Sequence, residues 1–180
     1  LRTLHAMGQV DAGYRGENVL PAQPGLDYGL PTSMFGSEEA LRRFLEGVER
    51  EVTSLPGVES AGWGTSLPLV GFNRFAFEIL GAEVATSGAM PAADRQLVGP
   101  GYLPTLGVPI VAGRGFTDLD TAESPPVALV SEAVVREHFG GRNPIGMRIV
   151  VNQLGLGPPR PVAPEIVGGG AHVRGNLLEV

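Results

Sequence analysis

The chain is organised around residues 99–120, which read GPGYLPTLGVPIVAGRGFTDLD. Glycines and prolines alternate there with short apolar pieces. A Pro-Gly pair can open a helical turn that carries Tyr102 and Leu106, and Gly107 can end this turn in the left-handed region. Residues 108–111 then read as a short strand. The pattern predicts a compact segment that turns the chain repeatedly, and we call residues 99–120 the connector.

The second half of the connector holds two more glycines around a cation. Gly113 and Gly115 flank Arg114 and permit tight turns before Phe116. Such turns would aim aromatic and aliphatic side chains inward, so we predict a structural role for the segment rather than a chemical one. The predicted connector residues are Tyr102, Leu106, Gly107, Gly113, Arg114, Gly115 and Phe116.

The composition is that of a folded protein with many turns. Of the 180 residues, 43% are hydrophobic and 18% are charged, which separates the chain from disordered sequences. The 27 glycines and 16 prolines make irregular loops frequent. A net charge of -6 without a basic run argues against nucleic acid as a partner. The sequence has no cysteine, and no apolar run approaches the roughly 20 residues that span a bilayer.

One amphipathic helix is predicted after Ser37, which is a good N-cap residue. Apolar residues recur there at helical spacing and form one stripe. The stripe consists of Leu41, Phe44, Leu45, Val48, Val52 and Leu55. A Pro-Gly pair ends the helix, and residues 58–65 read as a strand. Because residues 19–26 also read as a strand, interrupted by prolines, the order is strand, helix, strand.

Several strands are predicted in the remainder of the chain. Residues 73–81 alternate as one half-buried strand, and residues 126–131 form a continuous apolar run typical of a strand buried on both faces. Ser131 is expected to cap a short helix. Residues 147–151 and 164–167 can pair as strands across an irregular loop. Another strand is predicted at residues 94–98.

No pattern of known chemistry is present in the sequence. The three histidines are far apart, and Asp118, Asp120 and Glu123 lack the spacing of a calcium loop. We interpret these acidic residues as turn-forming groups on a solvated edge. There is no Gly-x-Ser-x-Gly elbow and no phosphate-binding glycine loop. We therefore predict no catalytic residues, no cofactor and no metal site.

Several short motifs in a fixed order resemble one protein family. The connector contains Pro-Gly-Tyr, then Leu-Gly-Val-Pro, then Gly-Arg-Gly-Phe followed by two aspartates. Upstream are Leu-Pro-Gly-Val at residues 55–58 and Ser-Leu-Pro-Leu at residues 66–69. Together these motifs resemble the MacB-like periplasmic core domain of ABC transporter permeases, over residues 13–174.

This resemblance implies an α+β fold with two lobes on the extracytoplasmic side of a membrane. Residues 1–18 would be a stub following a membrane helix, residues 19–68 the first half of a strand-helix-strand lobe, and residues 69–180 an inserted strand-rich lobe. Because the chain starts at Leu1 without an initiator methionine or a leader, we expect an internal piece of a longer protein.

The implied function is mechanical and non-catalytic. The domain would couple ATP-driven motion of membrane helices to export or extraction of a substrate, on the periplasmic or extracytoplasmic face of the bacterial inner membrane. The implied partners are the remainder of its own permease, a cytosolic ATPase subunit or domain, and a second permease copy. The alternative is a stand-alone extracytoplasmic binding module for an apolar ligand or a protein partner, which a preformed apolar pocket would favour.

Overall fold

The computed structural model describes residues 14–15, 17–22, 37–66, 74–81, 90–121, 123–153, 160–170 and 176–179. Helices within these ranges are α1 (Glu38–Thr53), α2 (Tyr102–Thr105) and α3 (Glu132–His138). The strands are β1 (Arg74–Ala76), β2 (Glu78–Ile79), β3 (Ala92–Leu97), β4 (Ile110–Gly113), β5 (Val127–Ser131), β6 (Ile149–Gln153), β7 (Arg160–Val162), β8 (Glu165–Gly170) and β9 (Asn176–Glu179).

The strands form two sheets, which confirms the predicted α+β class. The larger sheet has the order β1-β3-β9-β5-β8-β4, and the smaller one has the order β2-β6-β7. In the larger sheet, β3 runs parallel to β9 and β5 runs parallel to β8, while its other pairs are antiparallel. Both pairs in the smaller sheet are antiparallel.

Strand β5 separates two hydrophobic cores. Its five residues are all buried, which confirms the predicted strand with two covered faces. Ala128 and Val130 point into a first core with Phe77, while Leu129 points into a second core with Leu106. Because side chains alternate along a strand, one short apolar run serves both cores. Connector side chains contribute to the second core.

The predicted single strand at residues 73–81 is wrong in one respect. The alternation of buried and exposed side chains is present, but the segment is divided into β1 and β2, which belong to different sheets. Phe77 lies at the division and is buried in the first core. Its amide donates to the Pro91 carbonyl oxygen at 2.9 Å, so the backbone stays satisfied where the chain changes sheets.

The predicted pairing of residues 147–151 with residues 164–167 is partly present. The Ile166 amide donates to the Met147 carbonyl oxygen at 2.8 Å, and the Ile149 amide donates to Pro164 at 3.2 Å. Beyond this point β6 instead pairs with β7 in the segment expected to be an irregular loop. The strand therefore exchanges one partner for another along its length.

Helix α1 begins as predicted, because the Ser37 hydroxyl oxygen accepts the Ala40 amide proton at 3.1 Å. Its apolar stripe is less buried than expected: Phe44 and Val48 are each 40% exposed, and Leu45 is half-buried.

The strands predicted on either side of α1 are largely absent from the described residues. Residues 58–65 contribute one isolated antiparallel bridge, at Gly64, instead of a strand. Residues 19–22 are not in a strand, and residues 23–26 lie outside the described residues. The predicted stub is described only at residues 14–15 and 17–18, so the domain boundaries remain predictions.

Candidate functional site

The connector begins with a short helix closed by a glycine turn. The Gly107 amide donates to the Pro104 carbonyl oxygen, and the Val108 amide donates to Leu103, both at 3.0 Å. These two bonds form the Schellman pattern, which requires a left-handed residue after the helix. Gly107 has φ +62°, which confirms its predicted conformation.

The same turn explains why β4 starts two residues later than predicted. The Val108 amide already closes the turn, and Pro109 has no amide hydrogen to donate. The sheet pairing can therefore begin only at Ile110.

Tyr102 and Leu106 anchor the first half of the connector in the second core, where both are buried. The Tyr102 hydroxyl donates to the Ser66 carbonyl oxygen at 2.9 Å and lies 3.0 Å from Oε1 of Gln96, which is also buried. Burial, with a smaller contribution from Tyr14, raises the pKa of Tyr102 above its ordinary value. The phenol therefore remains neutral and joins the connector to the segment that follows α1.

Residues 61–66 pack against the start of the connector through glycines, and we call this contact the glycine joint. The Gly99 amide donates to the Trp63 carbonyl oxygen, and the Thr65 amide donates to Leu97, both at 2.9 Å. A Cβ atom at Gly64 would lie 2.6 Å from the Tyr102 ring, so a larger residue would separate the two segments. This joint was not predicted from the sequence, although paired glycines on both segments are a signal of close approach.

The second half of the connector is closed by an ion pair. Arg114 Nη1 and Nη2 donate to Asp120 Oδ2 and Oδ1 at 2.7 and 2.8 Å, which is bidentate geometry. The Thr117 amide donates to Asp120 Oδ2 at 2.8 Å, and the Thr117 hydroxyl donates to the same oxygen at 3.0 Å.

This ion pair is partly shielded from water, since the Asp120 side chain is 7% exposed and that of Arg114 is 46% exposed. The hydrogen bonds from Arg114 hold the pKa of Asp120 below its usual range, and Thr117 adds to the effect. The prediction that these acidic residues lie on a solvated edge is therefore wrong for Asp120, which is buried, whereas Asp118 and Glu123 are exposed.

The remaining predicted connector residues lie around β4. Gly113 has φ +71° and is paired with Gly168 of β8. Gly115 has only ordinary contacts, since a Cβ atom there would lie 3.5 Å from Ile110, and Phe116 packs partly buried against the second core.

The connector contacts three other parts of the chain. The Arg15 amide of the N-terminal segment donates to the Leu106 carbonyl oxygen at 2.8 Å. On α1, the Glu49 carboxylate accepts a hydrogen bond from the Gly101 amide. The Arg114 amide donates to the Val167 carbonyl oxygen of β8 at 3.0 Å. These contacts join the connector to the N-terminal segment, to α1 and to the larger sheet.

Groups suited to metal chemistry do not come together in the part of the chain that the structure describes. No cluster of three His, Cys, Asp or Glu side chains could hold a metal ion there. Of the three histidines, only His138 falls within these ranges, where Nε2 lies 3.2 Å from the Ala92 carbonyl oxygen. No helix in the same ranges is long and apolar enough to cross a membrane.

The known proteins that are similar to this chain include one sequence family and solved structures of periplasmic or extracellular domains. A sequence profile of the family described as MacB-like periplasmic core domain matches residues 47–172. The crystal structure of the periplasmic region of MacB from Actinobacillus actinomycetemcomitans aligns with a TM-score of 0.52 at 16% identity, covering 74% of this chain and 53% of that chain. This chain therefore spans about half the length of that structure.

A second similar structure is the extracellular domain of the noncanonic ABC-type transporter YknZ from Gram-positive bacteria. It aligns with a TM-score of 0.46 at 15% identity, covering 76% of this chain and 62% of that chain. A search of curated protein sequences found no match. The profile match extends over well over half of the sequence and includes all of the connector. The chain belongs to the family of MacB-like periplasmic core domains, which are periplasmic domains of ABC transporter permeases.

Proposed function

We propose that this chain is a non-catalytic part of an ABC transporter permease on the periplasmic face of the bacterial inner membrane. It transmits ATP-driven movement of the membrane helices to the periplasmic side, where a substrate is exported or extracted. Its partners are the remainder of its own permease, a cytosolic ATPase subunit or domain, and a second permease copy. Family membership supports the general assignment, and the geometry of the connector supports the mechanical role.

The observation that carries the mechanical role is the position of the connector between the N-terminal segment and the sheet. Backbone hydrogen bonds join its Leu106 to Arg15 and its Arg114 to Val167 of β8. A displacement that reaches the N-terminal segment would therefore pass to β8 through the connector.

A segment that transmits displacement must resist deformation, and the connector has three features that provide resistance. The Gly107 turn fixes the direction of the chain after α2, and Tyr102 is buried with its hydroxyl paired. The bidentate pair of Arg114 and Asp120 closes the last loop. Because several contacts would have to break together, the segment moves as one unit with the second core.

The test uses the full-length permease with its ATPase in lipid nanodiscs. The sequence described here has no cysteine, so a spin label at Arg136→Cys, an exposed position on α3, is unique within it once cysteines elsewhere are replaced. We expect two labels per complex, with an inter-label distance that differs between the nucleotide-free state and the ATP-vanadate state. Equal distances in both states, or a single label per complex, would contradict the proposal.

A second labelled pair tests whether the connector keeps the domain rigid. Both labels, at Leu20→Cys and Arg136→Cys, are placed in one permease copy, and the second copy of the complex is unlabelled. We expect one narrow distribution of the distance between the two labels in both states. Gly107→Val should broaden this distribution while the ATP hydrolysis rate stays unchanged, and Gly115→Ala is the matched control. If Gly107→Val leaves the distribution narrow, the connector does not provide the rigidity.

A further inference from the structure

Glu49 joins α1 to the connector by a contact that is sensitive to its charge. Its carboxylate accepts the hydrogen bond of the Gly101 amide and lies against the Gly101 backbone, so that a Cβ atom there would be 3.1 Å from Glu49 Cδ. Glu49 is half-buried, unlike Glu46 and Glu51 on the same helix, which are exposed. The contact lies beside the glycine joint, since Gly101 also packs against the Ala61 carbonyl oxygen.

The charged groups that act on this carboxylate, among the described residues, are both negative. Asp118 belongs to the connector, and Glu46 lies one turn earlier on α1. Burial raises the pKa of Glu49, and Asp118 and Glu46 raise it further. The Gly101 amide acts in the opposite direction because it favours the ionised form, but burial outweighs it.

We propose that Glu49 is a proton-sensitive latch between α1 and the connector. The neutral carboxyl lets α1 lie against the Gly101 turn, and the ionised carboxylate loosens this contact through desolvation and repulsion by Asp118 and Glu46. The significance of the latch for transport rests on the proposed function, because it regulates how firmly α1 follows the connector. The latch itself is a property of the fold.

The direction of the pH dependence follows from the raised pKa. Between the ordinary glutamate value of 4.5 and the higher value in the folded chain, the folded state holds a proton that the unfolded state has lost. The contact is therefore strongest at acid pH and weakens as the pH rises through the folded-state value. Acidification of the medium around the domain would fasten α1 to the connector.

The single tryptophan of the sequence is a native reporter of this contact. Trp63 belongs to the glycine joint, and a Cβ atom at Gly99 would lie 2.7 Å from its indole Cε2. In the 180-residue chain at constant ionic strength, we expect the Trp63 emission maximum to titrate with a midpoint above pH 4.5. Glu49→Gln should abolish this transition. Glu51→Gln, an exposed position on the opposite side of α1, should retain it.

Asp118→Asn provides a second test that leaves the latch residue intact. Removing this negative charge should shift the midpoint toward lower pH, and circular dichroism verifies that each variant is folded. A transition that persists in folded Glu49→Gln, or a midpoint that does not move in Asp118→Asn, would overturn the proposal. If the Trp63 emission maximum of the wild-type chain does not change with pH, the latch is refuted and the spin-label result is unaffected. If the inter-label distances are equal in both nucleotide states, only the proposed coupling is refuted.

Discussion

Replacement of Gly107 by valine tests whether the turn after α2 stabilises the fold. Gly107 has φ +62°, and two backbone hydrogen bonds hold it there. Valine is branched at Cβ and is strongly disfavoured in this left-handed region. The folded chain must therefore either accept the strain or break the turn that orients β4.

The expected cost follows from the surroundings of the residue. An L-residue in the left-handed region loses about 1–2 kcal/mol relative to glycine. A Cβ atom at Gly107 would lie 3.0 Å from Cδ and 3.2 Å from Cγ of Arg15, which is an exposed side chain that can move aside. Steric overlap therefore adds little, and we expect Gly107→Val to lower the free energy of unfolding by about 1–2 kcal/mol.

The assay is equilibrium unfolding in urea, followed by Trp63 emission and circular dichroism. With a urea dependence of about 2 kcal/mol/M, this cost lowers the midpoint by roughly 0.5–1 M. Gly140→Val is the matched control, because Gly140 has φ +61° and a Cβ atom there would meet no other atom within 4 Å. Gly107→Asn should lower the free energy of unfolding less than Gly107→Val does, since asparagine tolerates left-handed backbone.

Two results would refute this reasoning. In the first, Gly140→Val shifts the midpoint and Gly107→Val does not. In that case the backbone at residue 107 is not held in the left-handed region, and the expected strain does not arise. If Gly107→Asn is as destabilising as Gly107→Val, the cost comes from contact with neighbouring groups rather than from the backbone.

Four further substitutions test the packing and the charges. Asp120→Asn should cost on the order of 1–2 kcal/mol at pH 7, between typical exposed and buried ion pairs. Because the folded-state pKa of Asp120 is lowered, its contribution to stability is complete above the ordinary value of 3.8 and is lost as the pH falls through the lower folded-state pKa, which urea unfolding at several pH values would reveal. Leu129→Ala should lower the free energy of unfolding by roughly 2–5 kcal/mol, and Leu45→Ala by clearly less, since Leu129 is fully buried and Leu45 only half-buried. Equal shifts of the urea midpoint would contradict this order. Tyr102→Phe should lower the free energy of unfolding by about 1–2 kcal/mol, because it leaves buried Gln96 without its hydroxyl neighbour. Thermal unfolding measures this effect, and an unchanged melting temperature would show that the hydroxyl contributes nothing.

The elements that could be predicted from the sequence depend on signals that act within a few residues. Ser37 caps α1 because its hydroxyl reaches an amide three residues later. Gly107 ends α2 because only the residue after the helix needs left-handed backbone. The run at β5 was recognisable as a doubly buried strand because every position is apolar or small. The family could also be recognised, since its motifs occur in a fixed order along the chain.

Other features depended on which distant segments meet in the folded chain. The division of residues 74–79 between two sheets was not visible in their regular alternation, because alternation reports burial and not the identity of the neighbouring strand. The role of Asp120 could not be separated from that of Asp118 by spacing, since only the folded loop brings Arg114 to one of them.

The position of Glu49 is the clearest example. In the sequence it belongs to the charged side of an amphipathic helix, where it is equivalent to Glu46 and Glu51. The tertiary structure alone places its carboxylate against Gly101 and leaves the other two in water. Helical periodicity determines the direction in which a side chain points from the helix, but its solvation and its pKa depend on the segment that packs there.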